Sequence, residues 1–380
     1  MSNALSFSDE QAMILDSARE FCREKSPVSA VRALLDSEHG YDPGTWEEMV
    51  ALGWPSLAIP EEFGGAGLGF GSIVPIAESM GRALLSTPLF STTLAAQAIL
   101  RAGQSAHKEQ WLPQLAAGTP ATLALLDGGD WGAPTTHCAA RRDGDNIVLE
   151  GEKWFVADAG VAQLFVAWCE LQGESALLLV NRDQLAADAI QPHTLLDETK
   201  RAARVSFNGV SVPAAQLLDG AGANAVLRDL GLLGALLVAA EATGSTGACL
   251  DTVVDYLKTR KQFGQLIGSY QALKHPTVEM LCQLDSARSL IYHAATLLDE
   301  TEATGELDTD TEIACRMAKA QAVEALTFAG DRAVQFHGGM GFTYECDAQL
   351  YIRRAQYAQQ QFGDAWHHRK RLAALLLDAA

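Results

Sequence analysis

Glu241 is the lone charge in Leu237-Val238-Ala239-Ala240-Glu241-Ala242-Thr243-Gly244. A carboxylate among small and apolar residues is expected to be buried, and burial is what tunes a carboxylate for proton transfer. Burial serves equally well for a structural partner of a buried arginine or of the backbone. Arg260-Lys261-Gln262-Phe263-Gly264 closes a long helical pattern. A cation at a helix end followed by a glycine turn can offer its guanidinium to a pyrophosphate bidentately. It can also simply complement the helix dipole. Gln335-Phe336-His337-Gly338-Gly339-Met340-Gly341 puts paired glycines between two apolar helical runs. Glycines there let a backbone pass close to a bound group, or let one helix give way to another. An acidic and aromatic segment follows, then the double arginine Arg353-Arg354.

Other chemistries lack their residues. His275, His293, His337, His367 and His368 have no HExxH or other metal-ligand spacing, so no metal is expected. The sequence holds neither a GxSxG elbow nor a P-loop. The cluster Pro60-Glu61-Glu62-Phe63-Gly64-Gly65-Ala66-Gly67-Leu68-Gly69 lacks GxGxxG spacing and follows no β-rich run, so it reads as an inter-helix turn.

The elements that must position these residues fall in three blocks: helical over 1–120, β over 121–221 and helical over 222–380. Ser8 with Gln11 reads as a capping box, and Pro27 stops the helix it opens. A second start is expected at Thr45-Trp46-Glu47-Glu48, with Gly53 closing it, and further helical patterns cover roughly 72–85, 92–102 and 106–116. The short segments Leu123–Leu126, Cys138–Arg141, Ile147–Phe155, Leu164–Cys169, Ala176–Val180 and Arg204–Phe207 are separated by turn clusters and predict a compact antiparallel β-domain. Long helices return near 224–259, 272–300, 310–334, 347–361 and 364–378. The acidic stretch from Asp299 to Glu312 reads as a solvated loop or helix end.

The chain of 380 residues is long enough for a large core in two or three layers. Its net charge of -19 argues against nucleic acid and anionic membranes as partners. No transmembrane span is expected, because polar groups interrupt the apolar windows, and Met-Ser-Asn-Ala opens no secretory signal. The seven cysteines are scattered and free of CxxC, which fits reduced thiols in the cytoplasm.

The run Gln335–Ala355 resembles the C-terminal signature of the acyl-CoA dehydrogenases. The segment Arg260–His275, with its RxxFG and later Gln271, resembles the flavin-contacting turn of that family. Pro60–Gly65 and the Trp154 segment add to the likeness, which extends over essentially the whole chain. The resemblance implies an α+β, mostly α fold: an N-terminal helical domain, a central antiparallel β-domain and a C-terminal four-helix bundle. It implies FAD as cofactor. Arg260 and Phe263 would contact it across a subunit interface, with Gln271 nearby. Gln335, Gly338 and Gly339 would approach its ADP part. Trp154 would stand where the family has Trp-Ile-Thr or Trp-Ile-Ser near the flavin ring, though Val156 offers no hydroxyl. Leu125–Gly132 likewise departs from the family's Thr-Glu-Pro segment.

The implied reaction is α,β-dehydrogenation of an acyl-CoA, with electrons passed to an electron-transfer flavoprotein. It needs a base for the α-proton. Phe362 stands at the usual Glu position, and Gly234 at the alternative one on the earlier helix. Glu241, two helical turns beyond Gly234, and Asp364, two residues beyond Phe362, are the candidate bases. Glu345, within the signature run, suits a structural hydrogen bond. Arg353 and Arg354 suit structural roles or the acyl-CoA phosphates. The missing Glu opens an alternative, a non-catalytic or half-catalytic subunit of a heteromeric dehydrogenase. A flavin monooxygenase on the same fold is a further one. A homotetramer or a heterotetramer with a related subunit is expected.

Overall fold

The computed structural model describes residues 9–128, 135–220, 222–302 and 307–377. Ser8 of the expected capping box lies outside them, as do Gly129–Gly132 and Gly305. By internal contacts the chain forms two units. One comprises residues up to Arg32, Gly71–Leu85 and Ala235 onward; the other comprises Ala33–Phe70 and Ser86–Gly234.

The helices before the sheet are α1 (Asp9–Lys25), α2 (Val28–Leu34), α3 (Pro43–Ala51), α4 (Val74–Arg82), α5 (Leu89–Ala102) and α6 (Ser105–Ala116). Helix α3 starts two residues before Thr45. Asp42 is its N-cap, accepting from the Thr45 amide at 2.7 Å, and Pro43 occupies the first turn, where its missing N–H costs nothing.

The second unit holds the strands β1 (Ala121–Ala124), β2 (Ala139–Asp143), β3 (Asn146–Glu150), β4 (Glu152–Ala157), β5 (Leu164–Leu171), β6 (Glu174–Asn181), β7 (Ile190–Pro192), β8 (Ala202–Ser206), β9 (Val210–Pro213) and β10 (Leu217–Leu218). The larger sheet runs β10-β6-β5-β2-β3-β9, and β4-β8-β7 form a second. The sheets are mostly antiparallel, but β1 and β2 both pair with β5 in parallel. The expected single run Ile147–Phe155 is broken at Gly151, whose φ of 146° puts β3 and β4 into different sheets. Ile147, Leu149, Phe165, Ala167, Leu178 and Val212 fill the core on one face, while Val166, Trp168, Leu177 and Leu179 pack with α5 and α6 on the other.

The first unit is a helical bundle built from α7 (Ala223–Thr259), α8 (Gln271–Glu302), α9 (Thr309–His337), α10 (Ala348–Gln360) and α11 (Ala365–Leu377), joined by α1 and α4. A hairpin of β11 (Lys261–Gln262) and β12 (Gln265–Leu266) links α7 to α8. Helix α7 is long and apolar enough to cross a membrane by length and composition, yet 67% of its most apolar window is buried inside the protein, as in a core helix. Helices α4 and α7 touch through glycine: a Cβ on Gly81 would lie 1.9 Å from the Glu241 carbonyl oxygen, and one on Gly244 would lie 1.8 Å from that of Glu78. Asp308 caps α9, accepting from the Thr311 amide, which holds its carboxyl below the usual range. Asp299 lies in the last turn of α8, in line with the helix-end reading of its acidic stretch, and accepts from the Gly71 amide at 2.9 Å.

Candidate flavin site

Arg260 is the first residue after α7, and its amide still bonds the Tyr256 carbonyl at 2.9 Å. The hairpin that follows turns on Phe263 (φ 53°) and Gly264 (φ 83°), the two positive dihedrals of a type I′ loop. Glycine takes this conformation freely; phenylalanine does not. Phe263 is also 91% exposed, so a strained backbone presents a naked ring. The hairpin closes with the Ile267 amide on the Arg260 carbonyl at 2.9 Å, which fixes Arg260 beside the loop.

At the far end of the chain, α9 ends at His337 and Gly338 caps it with φ 64° and ψ -142°, a region essentially reserved for glycine. Gly339 has no such dihedral, and a Cβ on either glycine would meet nothing within 4 Å. The backbone of Gly338 accounts for its own residue type. Gly339 has no reason of that kind; it borders open space.

These two ends meet. Tyr256, Arg260, Gln262, Phe263, Ile267, Tyr270, Leu273, Phe336, His337, Gly338, Gly339 and Met340 line one groove of about 610 Å³. Arg260, Phe263, Gly338 and Gly339, all expected at the flavin, border the same groove of this chain. Gln271 opens α8 one residue after Tyr270, and Gln335 lies on the last turn of α9; both are exposed, and neither lines the groove. No carboxylate is among the described lining residues, and Arg260 is their one fixed cation. Tyr256 and Tyr270, the tyrosines of the lining, were missed in sequence. Tyr256 lies one helical turn before Arg260, on the same face, which is the signal that could have found it. Its ring stacks on His337 with centroids 4.1 Å apart.

The candidate bases are occupied otherwise. Glu241 is 3% exposed, and its carboxylate receives Nη1 of the fully buried Arg354 at 2.8 Å. Both members of this ion pair are buried away from water. Arg354 is thereby removed from any phosphate, while Arg353 rests over the Tyr344 ring at 5.0 Å. Asp364 is exposed and caps α11, its Oδ1 accepting from the His367 amide at 2.7 Å. Between α10 and α11, Phe362 (φ 55°) and Gly363 (φ 92°) form a left-handed turn. Lys319, wholly buried, donates to the carbonyls of Ala358 at 3.1 Å and Gly363 at 2.7 Å, and His368 Nε2 donates to that of Phe362 at 2.9 Å. Burial pushes the Lys319 ammonium down to about 7, and burial with the nearby Lys319 charge pushes His368 down to about 3. Glu345 is exposed in the turn before α10.

In the β-containing unit, Trp154 is half-buried on β4 and its amide bonds the Leu126 carbonyl at 2.7 Å. Its ring stacks on His193 (5.4 Å) with Arg204 5.5 Å over the indole, and Phe155 beside it has φ 51° at a break in register. Nearby, buried Lys153 donates to the Leu125 carbonyl at 3.0 Å, to Thr136 Oγ1 at 2.9 Å and to Asp127. Asp127 belongs to the stretch that departs from the family's pattern. It anchors an internal cation.

Residues 8–119 match the family model for the acyl-CoA dehydrogenase N-terminal domain, and residues 220–377 that for the acyl-CoA dehydrogenase C-terminal domain. The chain is similar to the acyl-CoA dehydrogenase IpdE2 of Mycolicibacterium smegmatis, with 32% identity over 97% of this chain and 99% of the relative. Among solved structures, the Tcur3481-Tcur3483 steroid ACAD superposes with a TM-score of 0.84 at 25% identity, over 98% of this chain and 99% of the other. The fold is shared as well with the ChsE4-ChsE5 complex from Mycobacterium tuberculosis, at a TM-score of 0.85 and 23% identity over 98% of each chain.

Proposed function

Because this chain belongs to the acyl-CoA dehydrogenase family, an FAD-dependent family of oxidoreductases acting on acyl-CoA, we propose that it holds the ADP end of the flavin in its aromatic groove and works with a second, related chain that supplies the base. The observation that carries this reading is the convergence of Arg260, Phe263, Gly338 and Gly339 on one groove from segments far apart in sequence.

The groove fits the group. Arg260 offers a permanent cation and a planar donor fork for a diphosphate. The open space at Gly338 and Gly339 lets the backbone come against a ligand, where any side chain would intrude. Phe263 and Tyr270, edge to face at 6.5 Å, offer apolar surface for a planar ring. When bound, the flavin supplies the acceptor for the hydride leaving the β-carbon. The α-proton is a separate matter, because it needs a carboxylate that is accessible and free of a fixed cation. Glu241 is ion-paired with Arg354, Asp364 caps a helix, and Phe362 has no acceptor. We therefore assign the base to a related partner chain in a heterotetramer. Two of the structures that share this fold are named as pairs of chains, which supports that assignment. Electrons would leave for an electron-transfer flavoprotein, and the free cysteines suit the cytoplasm.

The test is a visible spectrum of the purified chain supplied with FAD and then with a panel of acyl-CoAs. The expected result is bound, oxidised flavin that bleaches only after a related dehydrogenase chain from the same source is added. Bleaching by this chain alone contradicts the partner assignment. Failure to hold flavin with or without the partner contradicts the groove.

A further inference from the structure

His337 is the one histidine among the lining residues of the groove. Its Nδ1 lies 2.7 Å from the Ala333 carbonyl oxygen. A carbonyl only accepts, so Nδ1 carries the hydrogen, and the neutral ring has a bare lone pair on Nε2. Tyr256 covers one face of the imidazole, with the two rings inclined at 27°. Stack and hydrogen bond together fix the ring, leaving Nε2 as the nitrogen it can offer to a ligand. That lone pair would repel a phosphate oxygen. An imidazolium, in contrast, would donate to it with charge assistance.

We propose that His337 is a diphosphate-binding residue of the groove and that binding places a proton on its Nε2. The inference rests on the flavin reading of the groove and adds a coupling to that reading: the affinity for the ADP end depends on pH through this one ring. The other ionisable groups lining the groove are few. From α7 and its end come the Tyr256 phenol and the Arg260 guanidinium, from the turn before α8 comes the Tyr270 phenol, and no carboxylate lines the groove. The balance is simple: one proton passes from solvent to Nε2, no covalent bond to the ligand forms, and the new N–H faces the anion.

ADP-ribose is the probe, because its diphosphate diester does not itself titrate near neutrality. It is titrated calorimetrically into the flavin-free full chain at pH 6, 7 and 8, in two buffers of different ionisation enthalpy. The wild-type protein is expected to take up as much as one proton per ligand as pH rises, and to lose affinity by up to about tenfold per pH unit. His337→Gln, whose amide donates without protonation, is expected to bind with no uptake and no pH slope. Arg260→Ala is expected to bind more weakly at every pH with the slope unchanged. Equal slopes in wild type and His337→Gln, or binding without proton uptake, overturn the inference while leaving the groove assignment standing. An absence of binding at every pH overturns both.

Discussion

Glu241 and Arg354 stand 113 residues apart in sequence and form one buried pair. Glu241→Gln removes one charge of this buried pair and is expected to destabilise the protein by about 3–5 kcal/mol in urea unfolding. Were Glu241 a reacting group instead, stability would hold and flavin reduction would be lost. Lys319 and His368 give a pH signature of their own. Lys319 has a folded pKa of about 7 against 10.5 for an ordinary lysine, so between those values the unfolded chain binds the extra proton. Stability from this group therefore rises with pH across that window, by up to about 1.4 kcal/mol per unit. His368 works over a lower range: its folded pKa of about 3 lies below the ordinary 6.5, so its contribution is lost as pH falls from 6.5 toward 3. Thermal melts at a series of pH values are expected to show the alkaline rise in wild type and not in Lys319→Met, and the acid loss in wild type and not in His368→Gln. Sequence made the burial of Glu241 legible, because its neighbours are apolar. Neither its partner nor the buried Lys319 and Lys153 could be read there, since lysine is ordinarily a surface residue and long-range pairing leaves no local mark.

Helix ends and crossings decide what the glycines do. Gly81 and Gly244 allow α4 and α7 to approach within backbone contact, and Ser245 Oγ donates to the Gly81 carbonyl at 2.8 Å. Gly244→Ala must push the helices apart, and is expected to cost at least about 1–3 kcal/mol in chemical unfolding. Gly339→Ala meets no protein atom, and is expected to leave the unfolding midpoint unchanged while weakening flavin retention on gel filtration. A destabilised Gly339→Ala protein would show that the glycine serves the fold instead. The helical elements were legible from their length and end signals, since α7, α8 and α9 run for 37, 32 and 29 residues. The start of α3 was misread by two residues, since Asp42 and Pro43 are the stronger start signal. The parallel pairings of β1 and β2 with β5 were not legible, because strand alternation records a face and not a neighbour.

At the scale of the molecule, the chain brings a cation-bearing, carboxylate-free groove to a protein of net charge -19. A surface so acidic repels free anions at long range, so binding there depends on the local field of Arg260 and is expected to weaken as salt screens it. Phe263, Met340, Phe342 and Tyr344 are exposed apolar or aromatic residues of the same unit. The order of helical, β and helical segments was legible throughout. The groove was half legible, as two motifs whose meeting only the fold could supply. The central claim is that this groove holds the ADP end of the flavin, and it is tested most directly by FAD affinity in Arg260→Ala and Gly339→Val proteins whose melting matches wild type. The account predicts that each substitution weakens FAD binding at least about tenfold, as loss of a charge-assisted contact or occlusion of the groove requires. FAD affinity equal to wild type in both would contradict it.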